Sequence, residues 1–449
     1  MFLALVALYL LIFLTSAARI SEREGYWSPI VVFGITAFYY YLSLPLELYL
    51  RGEEVFATYP ATFCMTPSVR IQIALSAVLA LVGFVAGHHV SGMGRLIAQS
   101  QRSEVARVPR SLQFVTIIAI VIMFVLYRSS FSEKLSYDEN NERRYSDPVF
   151  GYLVRLCVFS SCMCMGILAQ RKGLAKAPAV LIALGVVSWG CFTADKNPLL
   201  KSALGLSAFW LGKRSQSTMC LYLYCGAAVL AVGALPLFSA YRANATVEVR
   251  KTFQEYSVQN TDARGPLFSL VSVLEDDPPL LFGSSYLFAL VGWIPRAIWS
   301  DRPLDLAHVY AIEHIPHWQP GQGLGYSLLA EALWNFGIAG AFLQYFMIAF
   351  VLGVVWRRLY KLLAAQNAHA YWRVLLAVTY FEIVAIMHRV PSSFVVQSCV
   401  FELTIPVAAF YLFEKRPRRS KRLMGPRRFG IGRTIPPMTG RTRKANFTS

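Results

Sequence analysis

Long apolar runs broken by short polar connectors make up most of this chain. A run of about 20 apolar residues matches the hydrocarbon thickness of a bilayer. In lipid each such segment has to satisfy its own backbone groups, so runs of this length read as helices and exclude a β-barrel. The pattern predicts spans at Phe2–Ala18, Ser28–Leu48, Ile71–Val90, Phe114–Tyr127, Val149–Ala169, Pro178–Thr193, Leu199–Gly212, Met219–Ala240, Ile338–Trp356, Val374–Met387 and Phe394–Phe413, about eleven in all. The expected fold is all-α, a polytopic helical membrane protein. Residues 1–240 form an N-terminal bundle, 241–337 a long loop with short interfacial helices, 338–413 further spans and 414–449 a basic, disordered tail. Tyr286–Trp299 is apolar but short, and it carries Pro295 and Arg296. It predicts an interfacial or re-entrant helix, with a twelfth span as the rival. The first run starts at Met1 without a basic stretch or a small-residue cleavage site, so it is expected to be a retained helix.

Composition agrees: 56% of residues are apolar and 15% charged, with a mean hydropathy of +0.47. The net charge of +18 would raise nucleic-acid binding in a soluble chain. Much of the excess lies after Glu414, beside the last apolar run, which is where cytoplasmic retention and attraction to anionic headgroups place it, so no nucleic acid is expected. Basic residues at Arg95, Arg102, Arg107, Arg110, Arg171, Lys172, Lys176, Lys213, Arg214, Arg357, Arg358 and Lys361 fall on the side of that tail. That side is the cytoplasm, which puts the N-terminus and the long loop outside. Seven of the eight cysteines lie in apolar segments and Cys64 stands alone, so no disulfide framework or metal-spaced pair emerges.

The polar chemistry concentrates between Gly283 and Gly340, where Trp, His, Pro, Gly and paired charges mix in a way no spanning helix tolerates. Arg296, Asp301, Arg302 and Asp305 follow one another closely. Glu331 and Asn335 sit four apart, on one face if Ser327–Phe336 is helical. Elsewhere Arg155 and Glu382 lie inside apolar segments, costly unless paired or facing water, and Asp195 and Lys196 occupy a turn between two short apolar halves. His308, His314 and His317 have irregular spacing for a zinc site, and Gly321-Gln-Gly-Leu-Gly325 lacks the preceding strand of a dinucleotide turn.

Several short pieces resemble the bacterial oligosaccharide repeat-unit polymerases of the O-antigen polymerase (Wzy-type) family. They are Gly283-Ser-Ser-Tyr286, Ile294-Pro-Arg-Ala-Ile-Trp-Ser-Asp-Arg-Pro303, Gly325-Tyr-Ser-Leu-Leu-Ala-Glu331 and Asn335-Phe-Gly337. The turn Thr193-Ala-Asp-Lys-Asn-Pro-Leu-Leu200 and the pair His388-Arg389 are similar to two further family features. Ser300 stands where proline is common and Arg302 where lysine is common. The resemblance implies a metal-independent, cofactor-free inverting glycosyltransferase of the GT-C class in the bacterial inner membrane. Donor and acceptor would be undecaprenyl-diphosphate-linked glycans, and a chain-length regulator and a flippase are the expected partners beside membrane lipids.

Such chemistry needs a greasy surface for polyprenyl tails, cations for a departing diphosphate and one group to take a hydroxyl proton. The candidate cations are Lys196, Arg264, Arg296, Arg302, Arg389 and Arg155, with Asp195, Asp301, Asn335 and Glu382 in support; guanidinium forks suit phosphate oxygens, and Asp301 and Asp305 are expected to hold the forks in place. Glu331, at the start of a span, ranks first as base and His388 second. The alternative role for Glu331 is an acid placed at a helix N-terminus by the dipole. Trp293, Trp299, Trp318 and Trp334 would stack on sugars or anchor at the interface. An O-antigen ligase with a lipid A core as acceptor, a transporter and an assembly scaffold are the rival functions.

Overall fold

The computed structural model describes residues 1–24, 28–58, 61–92, 263–294, 298–315, 325–364 and 383–400. These residues are mostly helical. Four of their helical segments, Phe2–Ile20, Pro29–Arg51, Pro67–Val90 and Leu328–Val354, are long and apolar enough to cross a membrane. They fall on four of the predicted runs. The runs expected between Phe114 and Ala240, most of Val374–Met387 and the end of Phe394–Phe413 lie outside the described residues.

Helix α1 (Phe2–Glu24) shows Leu3, Leu8, Leu10, Leu11 and Leu14 on its surface, as a helix facing lipid on most sides does. Its one buried phenol, Tyr9, donates to the Gly34 carbonyl oxygen at 2.8 Å. Gly34 lies in α2 (Pro29–Ala37), where the Phe13 ring occupies the space a β-carbon would need. A π-helical turn, Phe38–Leu42, joins α2 to α3 (Ser43–Arg51). Pro45 explains it: proline has no N–H for the Tyr41 carbonyl and its ring crowds that position, so the ladder slips by one residue just before it. Gly52, left-handed at φ 70°, ends α3. The one sheet among the described residues is a hairpin of β1 (Val55–Thr58) and β2 (Ala61–Cys64), antiparallel with Val55 opposite Cys64.

Thr66 caps α4 (Pro67–Val90), accepting from the Val69 N–H at 3.3 Å, and Pro67 fits the first turn. Helix α4 packs along α8 (Leu328–Ala364), the longest helix described. Gly83 and Gly87 face the carbonyl oxygens of Phe342 and Phe346, and a β-carbon at either glycine would collide with that backbone. Both partners advance by four residues together, so the two helices run parallel in the close approach that small residues four apart allow. The hairpin leading into α4 and the segment leading into the long half of α8 therefore share one end of the bundle.

Between them lie α5 (Arg264–Asp276), α6 (Ser284–Val291) and α7 (Leu306–His314); α9 (Ser392–Ser398) follows a 3₁₀ turn at Met387–Arg389. Eight residues of α6 span only about 12 Å, less than the thickness of a bilayer. Helix α8 is not continuous: Phe336 (φ −138°) and Gly337 (φ 60°, ψ −155°) break it into a short first half and a long second half. The Gly337 conformation is one that essentially only glycine adopts. The fold back is tight enough to set Gly340 directly against the Ala332 carbonyl.

Candidate functional site

The corner at Phe336–Gly337 leaves the last carbonyls of the first half of α8 without helical partners. The chain entering α6 supplies them. Leu281 N–H donates to the Trp334 oxygen at 3.0 Å, Phe282 N–H to the Asn335 oxygen at 3.1 Å, and Gly283 N–H to Asn335 Oδ1 at 2.9 Å. That arrangement starts α6 against α8 and turns Ser285 inward.

Glu331 is buried at the centre. Its Oε1 accepts from Ser285 Oγ at 2.7 Å and Ser392 Oγ at 2.6 Å, and its Oε2 accepts from the Ser392 backbone N–H at 2.7 Å. Asn335, one turn on along the same face, donates through Nδ2 to Ser285 Oγ at 2.8 Å and to the Glu331 carbonyl at 2.7 Å. One carboxylate and one amide thus tie together three segments far apart in sequence: the start of α6, the first half of α8 and the start of α9.

A second knot lies at the other end of α6. Arg302 Nη1 donates to the carbonyl oxygens of Gly292 and of Ile294, the latter at 2.7 Å, and Gln397 Nε2 reaches the Gly292 oxygen at 2.8 Å. A guanidinium there answers the bare carbonyls and negative dipole of a helix C-terminus. The two carboxylates near Arg302 also have local partners of their own. Asp301 is exposed and accepts from Ser300 Oγ at 3.1 Å. Asp305 is the N-cap of α7, accepting from His308 N–H at 3.0 Å and facing His308 Nδ1 at 2.7 Å. Burial alone pushes the Asp305 carboxyl up, but the hydrogen bonds and charge of His308, with the Arg302 charge, outweigh it and hold it below its ordinary 3.8. Because the folded value is the lower one, the cap is fully stabilising above about pH 4 and is lost as pH falls through the folded value. Asp305→Ala is expected to cost about 1 kcal/mol of local stability, read as faster proteolysis within α7 at pH 7, with the difference from the parent shrinking as pH falls through the folded value.

His388 is completely buried on the 3₁₀ turn. Its Nδ1 lies 3.0 Å from Tyr41 Oη, which is 2.7 Å from Tyr345 Oη. The rings of Phe33, Tyr41 and Tyr345 stand 4.9, 5.1 and 6.3 Å from the imidazole, and its Nε2 has no partner. Among the described residues no carboxylate bonds this imidazole, so a proton gained here would stand in a buried, mostly aromatic pocket without a counter-charge from them. Tyr41 belongs to the π-helical turn, and the Tyr41–Tyr345–His388 cluster links that turn to the long half of α8 and to the turn that delivers Ser392.

Of the other expected site residues, Arg264 is exposed at the first position of α5 and Arg389 is half-buried on the 3₁₀ turn. Arg155, Asp195, Lys196, Arg296 and Glu382 lie outside the described residues. Sequence reasoning missed Ser285, Ser392, Gln397, Tyr41 and Tyr345. Ser285 stands inside a motif already quoted, whereas nothing local pairs Ser392 with a glutamate 61 positions earlier. No family model, curated protein or solved structure matches this chain.

Proposed function

We propose that this chain polymerises undecaprenyl-diphosphate-linked oligosaccharide repeat units at the periplasmic face of a bacterial inner membrane, on a frame of about eleven spans. What supports the reading is convergence: the Gly283-Ser-Ser-Tyr286 piece, the stretch ending at Glu331, Asn335-Phe-Gly337 and the turn after His388-Arg389 meet in direct hydrogen bonds around one buried carboxylate. The piece carrying Arg302 closes on the same short helix. Motifs separated by up to about a hundred residues have no packing reason to share one polar knot unless the knot matters.

In the proposed reaction, a hydroxyl of the acceptor sugar attacks the anomeric carbon of the donor glycan. The new C–O bond forms opposite the breaking bond to the diphosphate, undecaprenyl diphosphate leaves, and the hydroxyl proton passes to Glu331. Ser392 Oγ donates to Glu331 Oε1 at 2.6 Å, so it occupies the place of such a hydroxyl. An acceptor that displaced it would meet the same oxygen. The cations proposed for the diphosphate are Arg302, Arg264 and Arg389, joined by Arg296, Lys196 and Arg155.

The deciding experiment is the banding of surface polysaccharide in a deletion strain. Single-unit caps support the polymerase, and complete loss of capped lipid A replaces it with the ligase. Sidedness follows from the charge pattern: a reporter near Ala263 is expected to read periplasmic and one after Lys415 cytoplasmic. For Arg302, substitution by alanine leaves a backbone carbonyl short of its donor, costing about 1–3 kcal/mol. If Arg302 also grips the diphosphate, chain growth per folded molecule falls at least about tenfold, since roughly 1.4 kcal/mol is one decade. Unchanged growth per folded molecule restricts Arg302 to capping α6.

A further inference from the structure

Helix α6 carries an unusual combination: it is tied to a polar knot at each end yet turns a bare apolar face outward. Leu287, Phe288 and Leu290 are 67%, 46% and 61% exposed, and Trp293 and Trp299 flank them, each about two-fifths exposed. In a loop in water such a face would be a liability.

Its depth follows from one contact. Tyr286 Oη donates to Gln344 Oε1 at 2.5 Å, and the Tyr286 ring leans on Phe336 with centroids 6.2 Å apart. Gln344 lies six residues beyond Ile338, where the long half of α8 begins, so it sits about 9 Å down that helix. From the corner at Gly337 to Arg357, the first charged residue of that half, is 20 residues. At 1.5 Å each they span about 30 Å, which is the hydrocarbon thickness. Gln344 is therefore inside the acyl region, and so is the end of Tyr286 that bonds it. Below Gln344 on the same face of α8, Met347 and Val351 are 56% and 52% exposed, so that face of a helix of spanning length is bare as well.

We infer that α6 is a half-inserted helix whose Leu287, Phe288 and Leu290 face is covered by acyl chains of the bilayer leaflet at that end. The Tyr286–Gln344 bond then satisfies two polar side chains where water cannot, and the Arg302 cap returns the chain to the headgroup level. The inference rests on α8 crossing a bilayer and is independent of the polymerisation chemistry.

The test places the photoreactive residue benzoylphenylalanine at position 288, and separately at 290 in case one variant fails to insert, in the full chain. Each is reconstituted in vesicles of phosphatidylethanolamine and phosphatidylglycerol. Position 347 serves as the lipid-facing reference and position 312, exposed on α7, as the aqueous one. After irradiation, lipid adducts at 288 or 290 are expected within about twofold of those at 347, and at least about tenfold above those at 312. Adducts no more frequent than at 312 overturn the inference, because the face is then in water. A cross-linked second copy of the chain in place of lipid overturns it too, because the face is then a protein interface.

Discussion

Replacing Glu331 by glutamine is expected to stop chain growth, lowering the rate by at least about 100-fold, the lower end of what a general base contributes. Glutamine keeps the length and planarity of the side chain. It can still accept at one oxygen from Ser285 and Ser392, but its amide cannot take a proton at neutral pH. Where Glu331 Oε2 meets the Ser392 N–H at 2.7 Å, the amide sets donor against donor or has to flip and lose the hydroxyl contacts. The variant therefore combines a chemical and a structural change, and Ser392→Ala separates them. Alanine retains the backbone N–H and removes only the hydroxyl at 2.6 Å. If Glu331 takes the proton, Ser392→Ala should keep growth within a few-fold of the parent while Glu331→Gln abolishes it. If Glu331 only clamps the two helix starts, both variants should lose growth in proportion to lost folded protein. Polymer length per folded molecule, with purified lipid-linked repeat units, distinguishes the two.

The four described spans were legible because hydrocarbon imposes a length and a composition on each of them. Their ends were not. The run predicted from Ile71 begins at Pro67, since Thr66 and Pro67 form a cap and Arg70 is hidden by donating to the Glu53 carbonyl. The run predicted from Ile338 is helical from Leu328, because the corner at Gly337 joins two helices that a hydropathy window separates. Glu331 and Asn335 on one helix face followed from a period of 3.6, and Asn335 Nδ2 does reach the Glu331 carbonyl. Their partners in α6 and α9 follow no period, since Ser285 and Ser392 lie 46 and 61 positions from Glu331 and only the tertiary path brings them near. The capping role of Asp305 was legible but unread: a carboxylate beside an arginine reads first as part of an ion pair, whereas the Asp305-Leu-Ala-His308 spacing also makes an N-cap, and Asp305 accepts from the His308 backbone N–H.

The largest structural effect is expected at Gly340. A β-carbon there would overlap the Ala332 carbonyl oxygen, with the Ala332 carbonyl carbon and Phe336 Cβ close behind. The first two belong to backbone, which cannot rotate away as a side-chain tip can, so Gly340→Ala has to open the corner itself. Overpacking between well-placed groups costs about 1–3 kcal/mol and more where relief requires moving a helix. At about 2.1 cal/mol/K of unfolding entropy per residue over 449 residues, the upper end corresponds to a fall in thermal midpoint of roughly 3 °C. Gly337→Ala tests the other half of the corner: nothing stands within 4 Å of the added methyl, so only the φ 60°, ψ −155° conformation resists it, at about 1–3 kcal/mol. Gly52→Ala is the control, left-handed and open to space, but at a helix end remote from the corner. Both corner variants should also lower chain growth per folded molecule, because the corner holds the first half of α8, and so Glu331, against Ser285. Gly52→Ala should not. The expected order of destabilisation is Gly340, then Gly337, then Gly52, read from unfolding of the purified protein in one detergent. A Gly340→Ala protein as stable as its parent would mean that the two halves of α8 do not fold back as tightly as described, and the geometry around Glu331 would fall with them.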